Sequence, residues 1–186
     1  MKRKPIIISI SSYKLTNNEK SLISTEKPWG IILFKRNIKN LSQLKYLTFN
    51  IRKLMRDPYY PIIVDEEGGN VSRLSDIINT KKFNSSFFGK LFEKNKREGK
   101  NAYMEYLFFV SGILKEVGIN VNTIPVLDVL KNITHKVIGN RSFSKNIETI
   151  ISFKKICSDI LKKNKIGSVS KHIPGHGCVN VDTHKN

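Results

Sequence analysis

Short runs of consecutive apolar residues, alternating with amphipathic segments, constrain this chain more than any other feature. Gly30-Ile31-Ile32-Leu33-Phe34 is apolar at nearly every position, the pattern of a parallel-sheet strand covered on both faces. Leu41, Leu44, Leu47, Ile51, Leu54 and Met55 then recur at three- and four-residue spacing, marking one face of a helix. Ile6 to Ile10 behind Pro5, Pro61-Ile62-Ile63-Val64, Ile119 to Val126 and Ile166 to Ser170 read as four further strands. Thr16-Asn17-Asn18-Glu19 is a capping box that opens a helix. A long helix over Lys100 to Val117 is stopped by Gly118. Ile147, Ile150, Ile151, Lys154, Cys157, Ile160 and Leu161 mark a fourth helix.

Strand–helix repetition without hairpins predicts an α/β fold of right-handed βαβ units on a parallel sheet. About five strands and four helices make either a small open sheet or roughly five-eighths of a barrel. An eight-stranded (β/α)8 barrel takes ~250 residues, more than the 186 present here. One domain spanning 1–186 is expected, with two sheet edges left open.

The chain carries 33 basic against 15 acidic side chains, a net charge of +18. Aromatics do not alternate with the basic residues as a stacking platform requires, and the lysines are scattered. The charge is therefore read as a lysine-rich surface, and no nucleic-acid partner is expected. Cys157 and Cys178 make no disulfide framework, which fits a reducing cytosol. The apolar run behind Lys2-Arg3-Lys4 is too short for a secretory signal. The stretch from Tyr106 to Leu114 is too short, and too interrupted by Ser111 and Gly112, to cross a bilayer. A cytoplasmic protein without a membrane partner is the expectation.

Three loops carry titratable groups. Val64-Asp65-Glu66-Glu67-Gly68-Gly69 leaves the third strand, followed by Arg73. Paired glycines let backbone approach a ligand, and Asp65 can accept from two hydroxyls; an acidic turn in water is the plainer reading. Calcium loops space their ligands at alternate positions, so no metal is assigned. Asp128 ends the fourth strand and pairs equally well with a neighbouring loop; Arg141 follows in a second loop and can clamp hydroxyls with its planar fork. Lys171-His172-Ile173-Pro174-Gly175-His176-Gly177 follows the fifth strand. His172 and His176 have zinc-helix spacing, but Pro174, Gly175 and Gly177 forbid the helix. Nothing marks Cys178 as a thiolate beside His176. In the extended segment Asp182-Thr183-His184, residues two apart point the same way. Asp182 can then hold the His184 tautomer, which makes a general acid/base dyad.

Taken with Ile32-Leu33-Phe34-Lys35-Arg36-Asn37, Pro125-Val126-Leu127-Asp128-Val129 and Val137-Ile138-Gly139-Asn140-Arg141-Ser142-Phe143, these loops resemble the family 3 glycoside hydrolases. Among these the chain is most similar to the bacterial cytosolic β-N-acetylhexosaminidases of peptidoglycan recycling. The resemblance implies an incomplete (β/α)8 barrel and removal of terminal N-acetylglucosamine from anhydro-muropeptides with retention, without a cofactor. It implies that Asp65, Arg73, Arg141, Lys171 and His172 bind the sugar and that Asp182 and His184 form the acid/base pair. Glu66 and Asn70 stand where the family usually has glutamine and arginine. The family's nucleophilic aspartate sits in a serine-aspartate-aspartate-leucine type motif on a later strand, and none of the 186 residues supplies it. The chain then corresponds to the N-terminal part of such an enzyme, inactive alone. A non-catalytic remnant, or one half of a split enzyme with a complementary C-terminal fragment, is the alternative reading. A basic nucleic-acid-binding protein is the third.

Overall fold

The β-branched residues that fill the short apolar runs suit a pleated, buried surface, and all five runs form strands. The computed structural model describes residues 3–180. Its strands are β1 (Lys4–Ser9), β2 (Pro28–Leu33), β3 (Ile62–Val64), β4 (Val121–Asn122) and β5 (Gly167–Ser168). They lie parallel in the order β1-β2-β3-β4-β5. Strands that follow chain order, each reached by a right-handed crossover, place their connecting helices on one side of the sheet. That is the arrangement of a partial α/β barrel.

Five helices make these connections: α1 (Asn17–Glu26), α2 (Leu41–Met55), α3 (Ser85–Lys94), α4 (Lys96–Glu116) and α5 (Ile147–Lys163). The Thr16 capping box forms as read, with Thr16 accepting from the Glu19 amide and Glu19 accepting from the Thr16 amide. On α2, Leu44, Leu47, Ile51 and Met55 are buried, each worth roughly 1.5–3 kcal/mol relative to exposure. Leu41 stays half-exposed at the helix entrance.

Two expectations change. The helix expected over Lys100 to Val117 starts at Lys96, and a further helix, α3, precedes it where none was expected. Asn95 closes α3, and its side chain accepts from the amides of Arg97 and Glu98 to open α4. A Cβ on Gly99 would stand 2.4 Å from the Phe92 backbone, so the corner needs glycine for close packing. The fourth strand is also shorter than Ile119 to Val126. Pro125 has no amide to give the ladder, and pairing resumes only at an isolated bridge between Val126 and Lys171.

Phe92, Tyr103, Phe143 and Phe153 bind α3, α4 and α5 into one aromatic cluster, with Phe143 stacked on Phe153 at 4.5 Å. This anchors the loop that carries Arg141. β1 and β5 form the two sheet edges, where Ile6, Ile7 and Val169 are exposed.

Candidate functional site

Parallel strands present all their C-terminal ends on one rim of the sheet, where open α/β folds and barrels place their sites. Asp65 is the first residue beyond β3, Thr123 the first beyond β4, and Lys171 lies just past β5. The Thr123 hydroxyl donates to Asp65 Oδ1, and Lys171 Nζ donates to the same oxygen at 3.2 Å and to Thr123 Oγ1 at 2.9 Å. Arg73 Nη2 reaches Asp65 Oδ2 at 3.4 Å. Burial would raise the Asp65 carboxyl, but Lys171, Thr123 and Arg73 together hold it below its usual range. Asp65 is thus an ionised acceptor at the rim.

The neighbouring carboxylates do not form the acidic turn in water considered above; Glu66 and Glu67 are buried. Glu67 takes the Arg141 fork in two parallel bonds of 2.9 Å and the Lys171 ammonium at 2.6 Å. Glu67 in turn strengthens the proton hold of Arg141 against the opposing effect of burial. Glu66 turns the other way. Its Oε2 accepts from Ser72 Oγ and the amides of Arg73 and Leu74 at 2.8–3.0 Å, its Oε1 from Thr80 Oγ1 at 3.3 Å. Burial still raises its carboxyl despite these donors. Asn122, wholly buried, pins the same residue by pairing both its amide and its carbonyl. Asp65 and Glu67 thus share Lys171 while Glu66 faces other donors, and among the described residues no group of three or more His, Cys, Asp or Glu could hold a metal ion.

The loop's shape depends on Gly68, whose φ of +82° favours glycine. A Cβ there would meet the Phe83 carbonyl oxygen at 2.3 Å and the Tyr106 hydroxyl at 2.5 Å.

Asp128 is also buried. Its Oδ2 lies 2.6 Å from His172 Nδ1, and its Oδ1 accepts from the amides of His176 and Gly177 at 2.6 and 3.2 Å. Burial raises this carboxyl, while His172 and the two amides bring it net below the usual range. The ring centroids of His172 and His176 stand 4.9 Å apart, held by loop contacts and a short 3-10 turn over His176–Cys178 rather than by a helix. Cys157 is buried, its thiol pushed up to about 12 chiefly by that burial; Cys178 is exposed.

Of the five residues expected to touch a sugar, Asp65, Arg73, Arg141 and Lys171 thus gather in one network, and His172, next to Lys171, pairs separately with Asp128. Asp182 and His184, the expected acid/base dyad, lie outside the described residues. Glu67 and Thr123 complete the network, and Asp128 holds His172, without having been picked out as site residues. Their signal in the sequence is their place at or just beyond strand ends, which by itself fits loop pairing equally well.

No helix among the described residues is long and apolar enough to cross a membrane. The model of the glycosyl hydrolase family 3 N terminal domain matches residues 5–186. A beta-hexosaminidase of Neisseria gonorrhoeae is 37% identical over 183 residues, covering 98% of this chain and 50% of its own length. One from Thioalkalivibrio sulfidiphilus is 31% identical over 97% of this chain and 51% of its own. Native NagZ from Neisseria gonorrhoeae superposes with a TM-score of 0.88 at 33% identity, over 98% of this chain and 52% of that one. NagZ in complex with N-trifluoroacetyl-D-glucosamine gives a TM-score of 0.87 at 33% identity, over 98% of this chain and 53% of that one. The chain spans about half the length of the curated relatives it matches. With the family model covering nearly every residue and the fold agreeing, the chain belongs to the glycosyl hydrolase family 3 N terminal domain family.

Proposed function

We propose that residues 1–186 form a single barrel-type domain, the sugar-binding N-terminal part of a β-N-acetylhexosaminidase. Its substrate is a terminal N-acetylglucosamine on anhydro-muropeptides, and its place is the cytoplasm, in peptidoglycan recycling. The observation that carries this reading is the convergence of Asp65 with Lys171, 106 residues later, and with Arg73, with Arg141 joined to Lys171 through Glu67 and His172 next to Lys171 on the same loop. A pyranose presents hydroxyls that need donors and acceptors side by side. Arg73, Arg141 and Lys171 can only donate, and ionised Asp65 can only accept. The relative solved with N-trifluoroacetyl-D-glucosamine supports a sugar of this class.

In the proposed reaction His184 protonates the glycosidic oxygen and then activates water, with Asp182 holding its tautomer. Retention also needs a nucleophilic carboxylate, and these 186 residues contain no serine-aspartate-aspartate-leucine motif to match the family's. The polypeptide alone then binds sugar without turning it over, and a complementary C-terminal fragment would supply the nucleophile. The test titrates N-acetylglucosamine, with glucose as control, into the isotope-labelled chain. Shifts confined to the Asp65 and Lys171 loops, absent in Asp65→Asn, are expected. No response to N-acetylglucosamine would refute the binding. Release of chromophore from an N-acetyl-β-glucosaminide by the purified chain, lost in His184→Ala, would refute its inactivity.

A further inference from the structure

We infer that Asp128 is a positioning residue: it fixes the proton of His172 on Nδ1, so that Nε2 faces a ligand hydroxyl as an acceptor. This rests on the carbohydrate reading for the ligand, though the tautomer itself is independent of it. The Asp128 side chain is fully buried and cannot itself touch a sugar, so any influence on binding passes through its partners. Its two oxygens divide the work. Oδ2 faces His172 Nδ1 at 2.6 Å, while Oδ1 takes the amides of His176 and Gly177. An ionised carboxylate can only accept, so the proton between it and the imidazole belongs to Nδ1.

The surrounding backbone leaves the loop little freedom to rearrange. A Cβ on Gly177 would lie 2.2 Å from the Val129 carbonyl oxygen. Thr134 Oγ1 donates to the Gly177 carbonyl at 2.6 Å, and the His135 amide donates to that of Val179 at 3.1 Å.

An acceptor at this place has a chemical purpose. Arg73, Arg141 and Lys171 all donate and none can accept. A hydroxyl held by such cations uses its oxygen lone pairs on them and must place its own hydrogen elsewhere. Asp65 offers one acceptor, and the Nδ1–H tautomer of His172 makes Nε2 another. Second-sphere hydrogen bonds to the far ring nitrogen commonly set which nitrogen is offered.

Asp128→Asn separates this role from simple packing. The two loop amides demand the single carboxamide oxygen, which turns the new NH2 group toward His172 Nδ1. That nitrogen must then accept, and the ring proton moves to Nε2. Histidine ring spectra of the full 15N-labelled chain at mildly alkaline pH read the tautomer directly. The wild type is expected to show Nδ1–H at His172, and Asp128→Asn to show Nε2–H with the His176 and Gly177 amides still bonded. N-acetylglucosamine affinity should fall about tenfold, the effect of one reversed hydrogen bond.

A wild-type ring protonated at Nε2 overturns the inference, and this measurement needs no variant to fold. So does a folded Asp128→Asn that keeps Nδ1–H, or a tautomer flip that leaves sugar affinity unchanged. A flip in a chain whose wild type ignores N-acetylglucosamine refutes the carbohydrate reading while the tautomer assignment stands.

Discussion

Glu67→Ala is expected to be among the most damaging single changes at the rim. The Glu67 side chain is 2% exposed, and its partners Arg141 and Lys171 are 15% and 16% exposed. Removing it deletes three charge-assisted bonds but leaves both cations in place. Lys171 retains Asp65 at 3.2 Å, whereas Arg141 keeps the Val137 carbonyl at 3.2 Å and no carboxylate partner among the described residues. Stranding a buried charge in this way costs about 3–5 kcal/mol. For a domain of this size that lowers Tm by roughly 10 °C. Glu67→Gln should cost nearly as much. Its one oxygen can take one donor of the fork, while its NH2 group is set against another donor.

Urea unfolding followed by circular dichroism measures the cost, with the slope checked to confirm that unfolding remains two-state. The decisive comparison adds Arg141→Met to Glu67→Ala. Removing both partners should restore at least about 1 kcal/mol relative to Glu67→Ala, because the stranded guanidinium goes with it. A loss below about 1 kcal/mol for Glu67→Ala, or a double variant no more stable than the single, would refute the assignment of Glu67 as the buried counter-ion of the two cations.

Glu66→Gln should behave oppositely. A glutamine oxygen can keep Ser72 and the amides of Arg73 and Leu74 while its NH2 faces the Thr80 hydroxyl. Because burial raises the Glu66 carboxyl in the fold, its neutral form suits the native state, and stability falls as pH rises from about 4.3 through the folded value. The Gln variant should equal the wild type near pH 4 and exceed it at neutral pH; equal denaturation midpoints at both would sink this account. Gly89→Ala tests the α3 contact, since its Cβ would stand 1.7 Å from the Phe143 carbonyl oxygen. A loss of about 3 kcal/mol or more in thermal unfolding is expected, and a neutral result would mean that α3 does not pack against the Arg141 loop.

The strands and α2 were legible because hydrophobic periodicity reports burial directly, and Ile31, Leu33, Ile62 and Val64 are nearly inaccessible as that signal implies. The α3–α4 corner was not. Ser85-Ser86 and Gly89 weaken helix propensity, and what holds α3 is tertiary: Phe88 against Tyr103 and Tyr106, and the aromatic contact of Phe92 with Phe153. At the rim, Asp65, Arg73, Arg141, Lys171 and His172 could be selected through family resemblance, but their mutual geometry could not. Glu67 illustrates why. As one of three successive acids it reads as a solvated turn, and only the approach of Arg141, 74 residues away, together with Lys171 makes its burial tolerable.

The local charge balance bears on what this rim can accept. The chain as a whole is strongly basic at +18, yet Arg73, Arg141 and Lys171 pair with Asp65 and Glu67, and Asp128, paired with His172, acts on Arg141 through its charge, three cations against three carboxylates. Two of those carboxylates are sealed behind the cations and the imidazole, and Asp65 is the more exposed one at 20%. An anionic ligand would have to compete with carboxylates that already neutralise every cation in the network. A neutral polyhydroxyl ligand needs no such exchange of charge; it needs donors and acceptors held at fixed places, which buried counter-ions supply. The excess basicity of the surface therefore gives little guide to the ligand. The balanced rim favours a neutral polar ligand, as the proposed sugar is, on electrostatic grounds independent of family resemblance.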